Sequence, residues 1–160
     1  MTEGKDYHRL NDYNLTMLTD FYEITMANGY FNSSQRDAEA CFDVFFRRVP
    51  DGGGFAIMAG LEQIIAYMKR LKFEEEDIEY LRSKNSFTEE FLDYLKDFRF
   101  SCDVWSVPEG YPIFPYEPVM IVKGPLIQAQ CVETFILMQF NHQSLIATKA
   151  ARVCYAAKGD

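Results

Sequence analysis

One hundred and sixty residues, 48% of them hydrophobic and 25% charged, make the length and mix of one folded domain or of part of a larger protein. Aromatic side chains, at 16%, are dense enough to build a core, which excludes a disordered or low-complexity chain. A formal charge of −8 offers no basic footprint for nucleic acid or an anionic membrane surface.

The acidity is local. Residues 74–97 hold nine acids and three bases, whereas residues 119–158 carry a net +3, leaving room for a phosphate-bearing small ligand near the basic parts. Cys41, Cys102, Cys131 and Cys154 are spaced neither as a zinc site nor as a dense disulfide framework. Three of them sit in apolar or mixed patterns that suit buried free thiols, and reduced cysteines in a cytoplasm are expected. Residues 1–14 form a polar arm without the apolar stretch of a secretory signal.

In chain order, residues 17–30 predict a helix. Leu18, Phe21, Tyr22, Thr25, Met26 and Gly29 fall on one apolar face, the expected inner one. Thr19 or Asp20 can cap it, with Glu23 three residues after Asp20 as in a capping box. Residues 38–48 predict a strand, with Ala40, Phe42, Val44 and Phe46 on one side, ending at Arg48, and Cys41, Asp43, Phe45 and Arg47 on the other. A loop through Pro50, Asp51 and Gly52-Gly53-Gly54 follows.

Three helices are expected at 60–71, 74–84 and 88–98. The last two open on acids and close on Arg82, Lys84 and Lys96, which suits the helix dipole, and their charges mark a solvated face. Residues 102–124 predict short strands and turns, because Pro112, Pro115 and Pro118 forbid a helix and Pro108-Glu109-Gly110 turns the chain. A strand at 119–122 is expected to stop at Gly124-Pro125. Residues 126–157 read as one long helix, or two joined near Asn141-His142. They are apolar on most faces but too often interrupted, at Gln128, Glu133, Asn141, Lys149 and Arg152 among others, for the roughly 20 mainly apolar residues of a membrane span. Nothing in the 160 residues looks sufficient to cover that surface. Strands and helices are segregated rather than alternating, so the fold class is α+β. On this pattern the chain divides into an arm at 1–14, an N-terminal α/β domain at 15–125 and a helical segment at 126–160.

No phosphate-binding P-loop, dinucleotide-binding glycine pattern, His-Glu-x-x-His or Cys-x-x-Cys is present. His8 and His142 have no carboxylate or nucleophile placed beside them in sequence, and both read as structural or incidental. Arg47-Arg48-Val49-Pro50-Asp51-Gly52-Gly53-Gly54 admits two readings. Its guanidinium groups and open backbone N–H groups could clamp a phosphate or diphosphate, or the arginines are a surface pair before an ordinary turn. Asp20 and Tyr22 are equally open. Tyr22 is a core tyrosine or a ring that stacks on a flat substrate; Asp20 is a helix cap, or it binds ribose hydroxyls or orients a cation.

Read together, several segments resemble the nicotinate phosphoribosyltransferase family. They are Leu18-Thr19-Asp20-Phe21-Tyr22 with Thr25-Met26-Ala27, then Phe45-Phe46-Arg47-Arg48 with Pro50 and Gly53, and Gly54-Phe55-Ala56-Ile57 with Ala59-Gly60-Leu61. Pro108-Glu109-Gly110, Gly124-Pro125-Leu126, Glu133-Thr134 and Ser144-Leu145-Ile146-Ala147-Thr148 with Ala150-Ala151-Arg152 continue the series in order from Leu15 onward.

The resemblance implies transfer of phosphoribosyl from 5-phosphoribosyl 1-diphosphate (PRPP) to nicotinate, giving nicotinate mononucleotide and diphosphate in NAD salvage. It also implies coupling to ATP through a phosphorylated histidine, with Mg²⁺ on the diphosphate. The implied fold is that of a type II phosphoribosyltransferase, with an N-terminal α/β portion, an irregular α/β barrel and a homodimer sharing its active sites. By motif, Tyr22 would stack on the pyridine ring, Asp20 would support that pocket, and Arg47 with Arg48 would meet PRPP phosphates across the dimer. The family's catalytic residues lie in the barrel, beyond the matching stretch, so no catalytic residue and no metal ligand is assigned here and the chain is expected to be the N-terminal part. Two alternatives stay open: a relative using nicotinamide or quinolinate, and a non-catalytic module that dimerises or binds a partner.

Overall fold

The computed structural model describes residues 13–49 and 52–158. Three antiparallel strands, β1 (Glu39–Val44), β3 (Asp103–Ser106) and β5 (Met120–Pro125), form the larger sheet in the order β1-β5-β3. Phe42 stands opposite Val122 and Val44 opposite Met120, while Val104 and Ser106 meet the same two residues from the other side. Opposed residues share a face, so Val44, Met120 and Val122 make one buried surface, while Phe42 on the same side of β1 is exposed. A second sheet pairs two-residue strands, β2 (Ala56–Ile57) and β4 (Pro112–Ile113).

Two strand boundaries differ from the sequence expectation. Regular pairing of β1 ends at Val44, short of Arg48. Strand β5 runs through Gly124 and Pro125 rather than stopping there, and the next N–H, of Leu126, still donates to the Ala38 carbonyl at 2.8 Å. A proline in the last strand position removes no interior ladder bond, so it does not end pairing early.

The three charged helices form where expected, as α2 (Leu61–Arg70), α3 (Glu75–Ser83) and α4 (Glu89–Lys96). Glu74 and Asp77 close a capping box on α3, Thr88 Oγ1 accepts from the Phe91 N–H on α4, and Arg82 pairs with Glu89 at 3.1 Å between them. Helix α2 is capped from a distance. Its N-cap is Gly60, at φ 99°, where a Cβ would press on the Gln139 carbonyl. Glu109 Oε1 takes over the cap, accepting from the N–H groups of Gly60 at 2.8 Å, Leu61 at 2.6 Å and Glu62 at 3.4 Å. The turn 108–110 thus supplies the oxygen that a short N-cap side chain ordinarily gives.

Helix α1 (Phe21–Phe31) starts later than expected and buries a different face. Glu23, Ile24, Ala27 and Phe31 point inward, with Phe31 against the rings of Phe91 at 5.6 Å and Tyr94 at 5.2 Å. Leu18, Phe21, Tyr22 and Met26, the expected inner stripe, are exposed. The helix is apolar on two sides, and periodicity alone does not choose between them.

The final segment is two helices, α5 (Leu126–Cys131) and α6 (Glu133–Ala157). The break falls at Val132, not at Asn141-His142, which are exposed within continuous helix. Two buried hydroxyls of α6 hold β2: Thr148 accepts from the Ile57 N–H at 2.8 Å and Ser144 from the Ala59 N–H at 3.1 Å. Leu137, Met138, Ile146, Val153 and Tyr155 remain exposed, in keeping with the surplus of apolar surface in the sequence. Among the described residues no helix is long and apolar enough to cross a membrane.

The cysteines correct one expectation: only Cys131 is buried, Cys102 is half-buried, and Cys41 and Cys154 are exposed. Burial pushes the Cys131 thiol up to about 12 and the Cys102 thiol up to about 11. A thiolate-directed reagent at neutral pH should therefore label Cys41 and Cys154 first and Cys131 only on unfolding, as peptide mass mapping would show. Replacing Glu109 by Ala orphans the α2 N–H groups and should cost about 1–2 kcal/mol in denaturant unfolding, while Lys123→Ala at the sheet surface should cost roughly 0.5 kcal/mol or less.

Candidate functional site

The first turn of α1 meets the first turn of α6, and this junction gathers Asp20, Tyr22, Glu23, Glu133 and Thr134. Asp20 holds the N-cap position with extended backbone, but its side chain makes no cap bond. Its carboxylate Oδ2 lies 3.2 Å from Thr134 Oγ1, and its N–H donates to that same oxygen at 3.2 Å. Glu23, expected to close the capping box, turns inward instead and is fully buried. Thr19 donates to its Oε2 at 2.6 Å and Thr134 to its Oε1 at 2.9 Å. A carboxyl taken out of water needs such donors. Burial raises the Glu23 carboxyl above its ordinary range; the two hydroxyl bonds oppose this, and the charges of Glu133 and Asp20 add to it.

Tyr22 is 52% exposed, which overturns its reading as a core tyrosine. The charge of Glu133, first, then desolvation, Glu23 and Asp20 hold its hydroxyl above the usual phenol range, so the ring is presented neutral. Beneath the junction Tyr67 stacks on Phe135, with ring centroids 3.8 Å apart and planes at 10°. Its buried hydroxyl finds no hydrogen-bond partner among the described residues.

Arg47 and Arg48 are exposed beyond the end of β1. Arg47 lines a groove of about 560 Å³ between β1 and the α5–α6 pair, with Phe42, Phe45, Ile136 and Phe140 as its apolar walls. Glu133 and Asn141 line the same groove, so Glu133 joins the Arg47 side to the Tyr22 side. Arg48 does not line it. Pro50 and Asp51 lie outside the described residues, as does His8. The glycine loop is nonetheless pinned. A Cβ on Gly53 would meet the guanidinium of Arg152 from α6, which would have to swing aside to admit it. Among the described residues no group of three or more His, Cys, Asp or Glu could hold a metal ion.

Residues 17–141 match the N-terminal domain of nicotinate phosphoribosyltransferase (NAPRTase). The chain belongs to this family. It is 44% identical over 143 residues to nicotinate phosphoribosyltransferase pncB2 of Mycobacterium tuberculosis, covering 89% of this chain and 31% of that protein. Against nicotinate phosphoribosyltransferase of Bacillus subtilis it is 42% identical over 142 residues, covering 89% and 29%. The crystal structure of human nicotinic acid phosphoribosyltransferase superposes with a TM-score of 0.81 at 36% identity, covering 87% of this chain and 28% of that one. Nicotinate-nucleotide pyrophosphorylase from Pyrococcus furiosus shares the fold alone, at TM-score 0.65 and 21% identity, over 99% of this chain and 33% of its own. The chain thus spans about three tenths of the length of the curated relatives it matches.

For this family member, the sequence singled out Asp20, Tyr22, Arg47 and Arg48, and the structure gathers the first two in one junction, with Arg47 on the adjoining groove. It missed Glu23 as a buried group and Arg152 as the partner of the glycine loop; Thr134 and Arg152 carried a signal only in the family's matching stretches. The raised carboxyl of Glu23 has a thermodynamic sign. A folded-state value above the unfolded one contributes stability at low pH, and that contribution is lost as pH rises through the folded value. Glu23→Gln should therefore gain stability relative to the parent as pH rises from the acid side, the two converging at low pH, in thermal unfolding followed by circular dichroism.

Proposed function

We propose that this chain acts as the N-terminal part of a nicotinate phosphoribosyltransferase. The enzyme would transfer phosphoribosyl from PRPP to the ring nitrogen of nicotinate and release nicotinate mononucleotide and diphosphate. The observation that carries the reading is family membership over residues 17–141, joined to an exposed tyrosine where the family resemblance expects a stacking ring.

The roles follow from chemistry. Tyr22 offers a neutral π-face to a flat pyridine, and Asp20 lies two residues earlier, exposed at the N-cap of the same helix. Arg47 and Arg48, exposed at the strand end, would meet phosphate oxygens of PRPP, with the second protomer of a homodimer completing each site. Positive charge develops at the ribose while diphosphate leaves, so positioning and fixed charge supply much of the rate. ATP coupling, Mg²⁺ on the diphosphate and a cytoplasmic location belong to the same proposal. The described residues do not form a Mg²⁺ site, so no step is assigned to the ion here. His142, exposed on α6, is not taken as the phosphorylated histidine.

The test is a direct comparison of nicotinate, nicotinamide and quinolinate as acceptors for the full-length enzyme, with PRPP, with and without ATP. Preference for nicotinate supports the reading, preference for another acceptor replaces it, and no turnover with any acceptor defeats it. Tyr22→Ala should raise KM for nicotinate by roughly tenfold to a hundredfold, the loss of about 1–3 kcal/mol of stacking. Arg47→Ala should raise KM for PRPP instead by roughly tenfold or more.

A further inference from the structure

We propose that Thr134, backed by the buried Glu23, is a positioning residue for the acceptor pocket, its single hydroxyl orienting the Asp20 carboxylate and the first turn of α1 that carries Tyr22. The inference rests on the reading of Asp20 and Tyr22 as pocket residues. It extends that reading to two side chains to which the resemblance gives no role.

A threonine hydroxyl has one proton to give and two lone pairs to accept with. Thr134 Oγ1 lies 2.9 Å from Glu23 Oε1 and 3.2 Å from Asp20 Oδ2, and it accepts the Asp20 N–H at 3.2 Å. Its proton cannot serve both carboxylates at once. With Glu23 ionised, the proton goes to Glu23 and the Asp20 carboxylate is left without it. With Glu23 neutral, the Glu23 O–H donates to Thr134 Oγ1, and the threonine proton is released to Asp20. Only one proton, taken up by Glu23 from solvent, distinguishes the two arrangements. The orientation of Asp20 is thereby tied to a carboxyl with no exposed surface.

The groups facing Glu23 favour the neutral form. Thr19, Asp20 and Tyr22 approach from the start of α1, Tyr67 from α2, Cys131 from α5, and Glu133 with Thr134 from α6. The members of this set are acids or neutral, so a second charge at Glu23 is repelled, and burial penalises it further.

The experiment compares the full-length parent with Thr134→Val, Thr134→Ser and Glu23→Gln. It measures KM for nicotinate and for PRPP at pH values rising from the ordinary glutamate value of about 4.3, with the amide NMR signal of Asp20 under selective labelling. Thr134→Val is expected to raise KM for nicotinate about tenfold and KM for PRPP less than about twofold, and to shift the Asp20 amide. Thr134→Ser should restore both. In the parent, KM for nicotinate should climb as Glu23 loses its proton, and Glu23→Gln, whose amide donates to Thr134 at every pH, should remove that climb. An unmoved nicotinate KM in Thr134→Val overturns the proposal. So does a rise in both KM values that serine does not restore, or a pH profile that Glu23→Gln leaves unaltered. Should the parent fail to use nicotinate, the reading of function falls, and the Asp20 amide still decides the link: indifference to Thr134→Val overturns it, and a shift reversed by serine supports it.

Discussion

A two-residue strand has few ladder bonds to hold its place, and β2 with the residues after it takes further hydrogen bonds from a helix. Buried Ser144 and Thr148, one turn apart on α6, accept from the Ala59 and Ile57 N–H groups. At the start of the same helix, Thr134 accepts from Asp20 and donates to Glu23. The apolar core sets how closely the parts approach, but it is indifferent to small slides. Directional bonds to buried polar atoms are not, because an N–H left unpaired away from water costs about 1–3 kcal/mol. Three hydroxyls on one helix therefore locate both α1 and β2 relative to a common axis.

The same reasoning explains why the candidate site lies where it does. Tyr22 and Asp20 sit at the start of α1, whose inner face is anchored by Glu23, Ile24, Ala27 and Phe31. Anchoring through Glu23 leaves the opposite face, with Phe21, Tyr22 and Met26, turned outward. Arg47 follows β1, whose pairing with β5 ends at Val44, so the arginine leaves the sheet where the groove opens toward Glu133. The aromatic and cationic elements are carried by different units that share α6 as a neighbour.

Much of the frame was legible in the sequence. The acidic openings of α3 and α4, the terminal Arg82 and Lys96, and the alternation around Val44 act through neighbours within a few positions. What stayed hidden depends on distant partners. The cap on α2 is Glu109, 49 residues from Gly60, and the carboxyl of Glu23 is satisfied by Thr134, 111 residues away. No local pattern announces either pairing. The inner face of α1 was misread because Ile24, Ala27 and Phe31 obey the same spacing as Leu18, Phe21, Tyr22 and Met26. The break at Val132 carries no glycine or proline to betray it. At the site, the identities of Tyr22, Asp20 and Arg47 came from the family's motifs, whereas their exposure and shared neighbourhood required the fold.

Helix α6 also behaves as a rod with its rotational phase locked at one end. Its last buried residue is Thr148, and from Lys149 to Ala157 it runs on for about 13 Å at 1.5 Å per residue without burying a further side chain. Because the hydroxyls at its base fix the angle of the helix about its own axis, they also fix the azimuth of Ile146 and Val153, seven residues apart and nearly in line. Removing one residue between Thr148 and Val153 would swing everything beyond it by about 100°, turning Val153 and Tyr155 away from Ile146 and displacing Arg152 from Gly53, while the bonds of Ser144 and Thr148 to 57–59 stay in place. The spacing of that projecting stretch is thus a constraint on direction, carried by residues that contribute nothing to the core.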